Sequence, residues 1–240
     1  MEILKVEGVT KNFDQLVALR AVDVTLYKGD ILGMIGPNGS GKTTLFNVIS
    51  GIYAPASGNV RYKGQFITNK KPHVICRMGI ARTFQIVQPF SQMTLLENVL
   101  IGAMYGRGLK PAAGRDKAEE ILQFVGLKDK IYFTPNEITT EDRRRLELAR
   151  ALATEPEVLL LDEIMAGLTP AEIEEALHLI RQINSRGITI FMVEHIMKAV
   201  MSICQRVVVL NYGEKIAEGS PQEVAENSEV IKAYLGDRYV

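Results

Sequence analysis

An α/β sandwich on a mainly parallel sheet is the fold class predicted by this sequence, and three observations predict it. Short apolar runs bounded by Gly, Asp or Asn recur along the chain, several of them lack polar alternation, and helical patterns separate them. Candidate strands cover residues 4–9, 22–27, 31–35, 158–161, 188–193 and 207–210. The runs Val158-Leu159-Leu160-Leu161 and Ile188-Thr189-Ile190-Phe191-Met192-Val193 do not alternate with charge, as expected of strands buried on both faces.

Two helical patterns are explicit. Ala118, Ile121, Leu122 and Val125 keep the i, i+3, i+4, i+7 spacing and stop at Gly126. Ile173, Ala176, Leu177, Ile180 and Ile183 repeat it after Pro170 and stop at Gly187. Residues 86–136 carry no strong strand signal and read as mostly helical. The expected organisation is a core of residues 1–85 and 155–240, with a helical subdomain inserted at 86–154.

The chain has 240 residues with 28 basic and 28 acidic side chains, so net charge gives no reason to expect a nucleic-acid partner. Its 47% apolar and 23% charged residues exclude a disordered class. Residues 43–60 are uncharged, but Asn47, Ser50, Gly51, Pro55, Ser57, Gly58 and Asn59 make the second half read as loop. No segment offers the roughly 20 apolar residues of a spanning helix, so no membrane crossing is expected. The N-terminus lacks a signal-peptide core. Cys76 and Cys204 have no metal-ligand spacing and read as core residues of a protein in a reducing compartment.

Gly36-Pro37-Asn38-Gly39-Ser40-Gly41-Lys42-Thr43-Thr44 fits GxxxxGK[ST] between a buried strand and an apolar helix at 45–49. Its glycines let backbone N–H groups turn inward around phosphates, at a helix N-terminus that adds positive potential. Lys42 would reach the β and γ phosphates and the Thr43 hydroxyl would ligate Mg²⁺. The matching acidic half is Val158-Leu159-Leu160-Leu161-Asp162-Glu163. Asp162 would sit near that ion at the strand's C-terminal end, and Glu163 would orient or deprotonate the attacking water.

With these landmarks in order, the chain up to about Ser220 resembles the ATPase subunit of ATP-binding cassette (ABC) transporters. The remaining landmarks are Phe13, Gln85, the helical insert, Leu146 to Leu152, and His195 in Phe191-Met192-Val193-Glu194-His195. The resemblance implies a P-loop NTPase sandwich with a mixed, mainly parallel sheet and an antiparallel β subdomain. It implies ATP and Mg²⁺ as ligands, with Phe13 stacking on adenine and Gly36, Asn38, Gly39, Ser40, Gly41, Lys42, Thr43 and Thr44 holding the phosphates. By the same resemblance Gln85 touches Mg²⁺ and water and senses the membrane partner, and His195 contacts the γ-phosphate. Implied partners are transmembrane permease subunits, a second ATPase subunit or another copy in a head-to-tail dimer, and indirectly a substrate-binding protein. The implied place is peripheral, on the cytoplasmic face of the cell membrane. His73 and His178 are read as surface or packing residues.

Two segments depart from the family pattern. Where the family carries Leu-Ser-Gly-Gly-Gln, this chain has Ile138-Thr139-Thr140-Glu141-Asp142, with one hydroxyl kept and both glycines and the glutamine gone. A carboxylate about 4 Å from a phosphate charge repels it by roughly 4 kcal/mol at an effective dielectric near 20. Losing one hydrogen bond to a charged group costs about 1.5–3 kcal/mol. Repulsion is therefore the larger expected defect, if Glu141 faces the phosphate. Thr139 and Asp142 also have capping-box spacing, so the expectation is a self-capped helix and a weakened signature. After Glu163 the usual proline is Ile164, and the usual aspartate is Thr169. The expected protein is asymmetric: a competent catalytic half-site that donates a poor signature to its partner.

Gly79-Ile80-Ala81-Arg82-Thr83-Phe84-Gln85, Met93-Thr94-Leu95-Leu96-Glu97-Asn98-Val99 and Val230-Ile231-Lys232-Ala233-Tyr234-Leu235-Gly236 resemble the branched-chain amino-acid importer subgroup. Two alternatives stand beside it: a non-transport ABC ATPase, and a nucleotide-binding subunit with little hydrolysis. Arg143-Arg144-Arg145 is expected to form a solvated helix face.

Overall fold

The computed structural model describes residues 1–85 and 88–235. Gly236, which closes the C-terminal segment quoted above, lies outside the described residues, as do residues 86 and 87 at the start of the expected helical insert. The chain runs β1 (Glu2–Phe13), β2 (Leu16–Tyr27), β3 (Ile31–Ile35), α1 (Lys42–Ile49), β4 (Ser57–Tyr62), β5 (Gln65–Phe66), α2 (Pro72–Met78), β6 (Ile80–Arg82), α3 (Leu95–Arg107) and α4 (Pro111–Phe124). A 3₁₀ turn (Lys128–Lys130) leads to α5 (Thr140–Leu152), β7 (Val158–Asp162), α6 (Pro170–Ser185), β8 (Thr189–Val193), α7 (Met197–Ile203), β9 (Arg206–Asn211), β10 (Glu214–Gly219), α8 (Pro221–Glu226) and α9 (Ser228–Leu235).

Among the described residues the main sheet has six strands in the order β10-β9-β3-β8-β7-β6. All its neighbours pair in parallel except the antiparallel edge strand β10. A second sheet, β2-β1-β4-β5, is antiparallel. Alternate side chains of the central strands enter two separate cores. Ile31, Ile35, Leu159, Leu161, Ile190, Met192, Val207 and Val209 pack with helices α3 to α8. Leu32, Met34, Val158, Leu160, Phe191, Val193, Val208 and Leu210 pack with α1 and the antiparallel sheet. Two-sided burial is the physical reason these runs show no polar alternation.

Several strands exceed or escape the sequence reading. β2 begins at Leu16, and its path includes Ala21 in a left-handed conformation (φ 46°). Ser57-Gly58-Asn59-Val60-Arg61-Tyr62 has the composition of a turn, yet antiparallel pairing to β1 makes it β4, correcting the loop expected there. β6 is three residues long and holds its place by pairing with β7. Cys204 is buried, whereas Cys76 lies half-buried on α2 rather than in the core. The run Arg143-Arg144-Arg145 is not a solvated face. Arg143 donates to the Pro135 carbonyl at 2.7 Å, Arg144 to the Ile164 carbonyl at 2.6 Å, and Arg145 to Glu175 at 2.5 Å.

The sequence between β6 and β7 supplies α3, α4 and α5, and α5 is tied to the strand ends on both sides. Buried Glu147 accepts the Phe84 N–H at 2.5 Å, and Arg144 donates to the carbonyls of Glu163 and Ile164. From the β8 side, Glu194 accepts the Met165 N–H at 3.0 Å. Burial raises the carboxyls of both Glu147 and Glu194 to about 7.

An acid raised from 4.5 to about 7 by folding keeps, within that window, a proton that the unfolded chain gives up, so stability falls as pH rises through it. The limiting slope is about 1.4 kcal/mol per pH unit for each group. Glu194→Gln keeps an acceptor for Met165 and removes one titration. Urea unfolding below and above the window should show a shallower fall than in the wild type. An unchanged slope would mean that Glu194 titrates in its ordinary range.

Candidate active site

Parallel register brings three strand ends to one edge of the main sheet. Met34 pairs with Val193, and Val193 pairs with Asp162. The phosphate loop after β3, the acidic pair closing β7 and Glu194-His195 past β8 therefore leave the sheet side by side, where open α/β sheets bind ligands.

The loop's path needs glycine at two close approaches. A Cβ on Gly36 would lie 2.1 Å from the Leu210 carbonyl oxygen, and one on Gly41 would lie 2.6 Å from that of Ala18. Gly41 caps α1 in a left-handed conformation (φ 105°) with no side-chain cap. No side-chain oxygen competes for the first-turn N–H groups, which suits an anion at that helix end. Lys42 Nζ donates to the carbonyls of Gly36 at 2.8 Å and Pro37 at 3.0 Å. Burial lowers the Lys42 pKa from its ordinary value, against the opposing pull of the Glu163 and Asp162 carboxylates.

A cleft of about 1200 Å³ gathers most of the residues singled out from sequence. Phe13, Asn38, Gly39, Ser40, Gly41, Lys42, Thr43, Thr44, Gln85, Glu163 and His195 all line it. Gly36 stands behind Lys42 and outside that lining, and Asp162 lines an adjoining recess together with Thr43 and Gln85.

Glu163 is the hub of the polar side chains. It bends away from β7 in a left-handed conformation (φ 52°), and its N–H donates to the Val193 carbonyl at 2.9 Å. One carboxylate oxygen accepts from Gln85 Nε2 at 2.7 Å, and the other meets His195 Nε2 at 2.5 Å. Thus Gln85, Glu163 and His195, drawn from three separate segments, form one hydrogen-bonded set that can orient or accept a proton from a water.

Asp162 is 1% exposed and ion-paired with Arg82 at 2.8 Å. Burial raises its pKa, against the hydrogen bond and charge of Arg82. Arg82 also donates to Asn47 at 2.6 Å and to Ser50 at 3.1 Å, which anchors it to α1. Asp162 Oδ1 is buried with no hydrogen-bond partner among the described residues. A buried carboxylate oxygen without a partner, on a residue that lines one recess with Thr43 and Gln85, is hard-oxygen chemistry suited to Mg²⁺.

Phe13 ends β1, is 38% exposed, and meets Tyr53 edge-on at 5.1 Å. At the start of α5, Thr139 and Asp142 form a reciprocal capping box, so the expected self-capping is present. Glu141 is held by Arg145, which also binds Glu175 of α6, and Asp142 pairs with Lys130 at 2.5 Å. Burial opposes the charge of Asp142, but the Lys130 and Thr139 bonds prevail and hold its pKa low. His73 and His178 are exposed on α2 and α6.

Sequence reading missed Arg82, Arg144, Glu147 and Glu194. Arg82, Glu147 and Glu194 are charges set in or against apolar runs, as in Gly79-Ile80-Ala81-Arg82 and Phe191-Met192-Val193-Glu194, whereas Arg144 sits inside a charge run. For the first three, that interruption was the available signal.

Comparison with known proteins agrees with this geometry. The family profile "ABC transporter" matches residues 19–166, and the profile "Branched-chain amino acid ATP-binding cassette transporter" matches residues 214–240. The chain is 38% identical to the high-affinity branched-chain amino acid transport ATP-binding protein LivG of Escherichia coli K12 over 98% of both chains. It is equally similar, at 38% and the same coverage, to the corresponding protein BraF of Pseudomonas aeruginosa. A nucleotide-free ATP-binding cassette from an ABC transporter superposes with a TM-score of 0.90 at 33% identity, over 99% of this chain and 100% of that one. The ADP conformation of such a cassette gives 0.89 at 34% identity, with 99% and 100% covered. A chain with this fold, this strand-edge site and similarity along its whole length belongs to the ATP-binding subunits of the ABC transporter family.

Proposed function

We propose that this chain binds and hydrolyses ATP to drive an ABC importer of branched-chain or related amino acids. The observation that carries the catalytic part is the convergence of the phosphate loop with Gln85, Glu163 and His195 in one cleft. The relatives' names, which specify branched-chain amino acid transport, support the substrate class.

In this reading the loop N–H groups and Lys42 hold the triphosphate, with Lys42 exchanging its loop carbonyls for phosphate oxygens. Phe13 stacks on the base. Thr43, Gln85 and Asp162 would hold Mg²⁺, which would supply charge neutralisation to the phosphates. Glu163 accepts a hydrogen bond or proton from water attacking the γ-phosphorus as the bond to the leaving oxygen breaks, Gln85 fixes that carboxylate, and His195 contacts the γ-phosphate.

Residues 86–154 act as a helical unit against the core of residues 1–85 and 155–240. Between them lies an apolar recess of about 310 Å³ lined by Ile52, Ile75, Phe84, Ile101, Glu147 and Arg150, among others. Ile52 and Phe84 are exposed there, and this is where a permease subunit would dock. Among the described residues no helix is long and apolar enough to cross a membrane, in keeping with peripheral attachment to permease subunits. The working unit is a head-to-tail dimer, with a second copy or a homologous subunit.

ATP turnover by the purified chain across a range of protein concentrations tests this reading, with Glu163→Gln as the blank. The variant should bind ATP and lose turnover by about 10²-fold or more, the scale of positioned acid–base catalysis. Wild-type turnover should rise faster than linearly with concentration if copies of the chain pair. Turnover unaffected by Glu163→Gln would remove Glu163 from the mechanism.

The self-capped α5 gives a second expectation. Restoring glycine and glutamine at Glu141 and Asp142 should raise turnover by dimers and lower stability by about 1 kcal/mol, the cost of a glycine within the helix, since Thr139 and a glutamine at 142 still form a capping box. Paired ATPase and urea measurements check both signs. Equal turnover in the two proteins would mean that the native segment is already a competent signature.

A further inference from the structure

The turn between β9 and β10 carries a residue that its own geometry does not favour. Asn211 pairs with Glu214, so two residues, Tyr212 and Gly213, close the hairpin. Both have positive φ, 45° and 81°, as in a type I′ turn. Asn, Asp or Gly is preferred at the first of these positions, because a bulky side chain meets its own backbone there. This chain places a tyrosine there with 86% of its surface exposed, so the ring contributes little to the core.

The turn is nevertheless anchored. Gly213 N–H donates to the Ser40 carbonyl in the phosphate loop at 3.0 Å, and Arg20 N–H donates to the Gly213 carbonyl at 2.8 Å. Gly213 Cα lies 3.6 Å from where a Cβ on Gly41 would sit. The root of the Tyr212 side chain is thereby fixed against the loop that holds the triphosphate. Tyr212 lines the same cleft as Phe13, Leu16 and Val17.

We infer that Tyr212 is a nucleotide-binding residue, an aromatic surface that contacts the purine base in addition to Phe13. The inference rests on the proposal that ATP occupies this cleft. An unfavourable backbone conformation that presents an exposed ring to a ligand cleft is what a binding contact requires and a plain turn does not. Stacking accepts any base face, and a preset ring loses little freedom when the base arrives.

Tyr212→Asn is an informative variant because it suits the turn better while removing the ring. Calorimetric titration of the full chain with ATP and with inorganic tripolyphosphate separates base from phosphate contacts. Tyr212→Asn should weaken ATP binding about five- to tenfold, the lower range for an aromatic–base contact, and leave tripolyphosphate binding and thermal stability undiminished. Tyr212→Phe should bind ATP like the wild type. Equal ATP affinity in Tyr212→Asn and wild type overturns the inference, even if turnover falls, since the ring would then serve a subunit contact. Equal loss for ATP and tripolyphosphate also overturns it, because the phosphate loop would have moved. A wild-type chain that binds neither ligand refutes the ATP reading itself.

Discussion

Burial of β3, β7, β8 and β9 on both faces is the constraint on which the rest of the molecule depends. Their side chains enter one apolar core or the other, so charge is expelled to the strand ends. Parallel register collects those ends at a single edge. Loop, carboxylates and histidine meet there because a sheet of this kind leaves them little alternative. The exception shows the rule's cost. Asp162, the last residue of β7, is still buried, and it sits there paired with an equally buried Arg82. Removing one partner of such a pair typically destabilises by about 3–5 kcal/mol.

The same edge is bound to α5 by polar contacts rather than apolar packing alone. Glu147 holds the backbone of Phe84, next to Gln85, while Arg144 holds the carbonyls of Glu163 and Ile164. One helix thus touches both segments that converge on the Glu163 carboxylate. A rotation of α5 would strain Gln85 and Glu163 together, because neither tie can lengthen without leaving buried Glu147 or half-buried Arg144 short of a partner. Glu194 restrains the same bend from the β8 side.

How legible this was depended on the range of the interactions involved. The central strands, the phosphate loop and α6 stand out in the sequence because local composition dictates them. β4 was hidden because Ser57, Gly58 and Asn59 are turn residues held extended only by β1 across the sheet. β6 was hidden because three residues carry no periodicity. In the site, Glu163 was singled out by its place after an apolar run, whereas Arg82 was passed over because its contact with Asp162 is distant in sequence. The arginines at 143–145 were misjudged for the same reason: a charge run looks solvated until its acceptors are brought to it.

The α5 terminus shows how a structure can reverse a ranking of effects. From sequence, phosphate repulsion by Glu141 outweighed the loss of hydrogen-bond donors. In the fold Glu141 is engaged by Arg145, and Asp142 by Lys130, so each acid of the first turn has a cation against it. Opposite charges at contact cancel most of the distant field of each pair, which leaves little net repulsion for a phosphate several ångströms away. The donors fare worse. The Asp142 N–H is spent on Thr139 Oγ1, and the Thr139 N–H faces Asp142 in return. An anion approaching this helix would find the Asp142 N–H already engaged and would have to displace Thr139 Oγ1 to use it. Of the two effects weighed from sequence, the fold cancels the charge and keeps the engaged donor at Asp142.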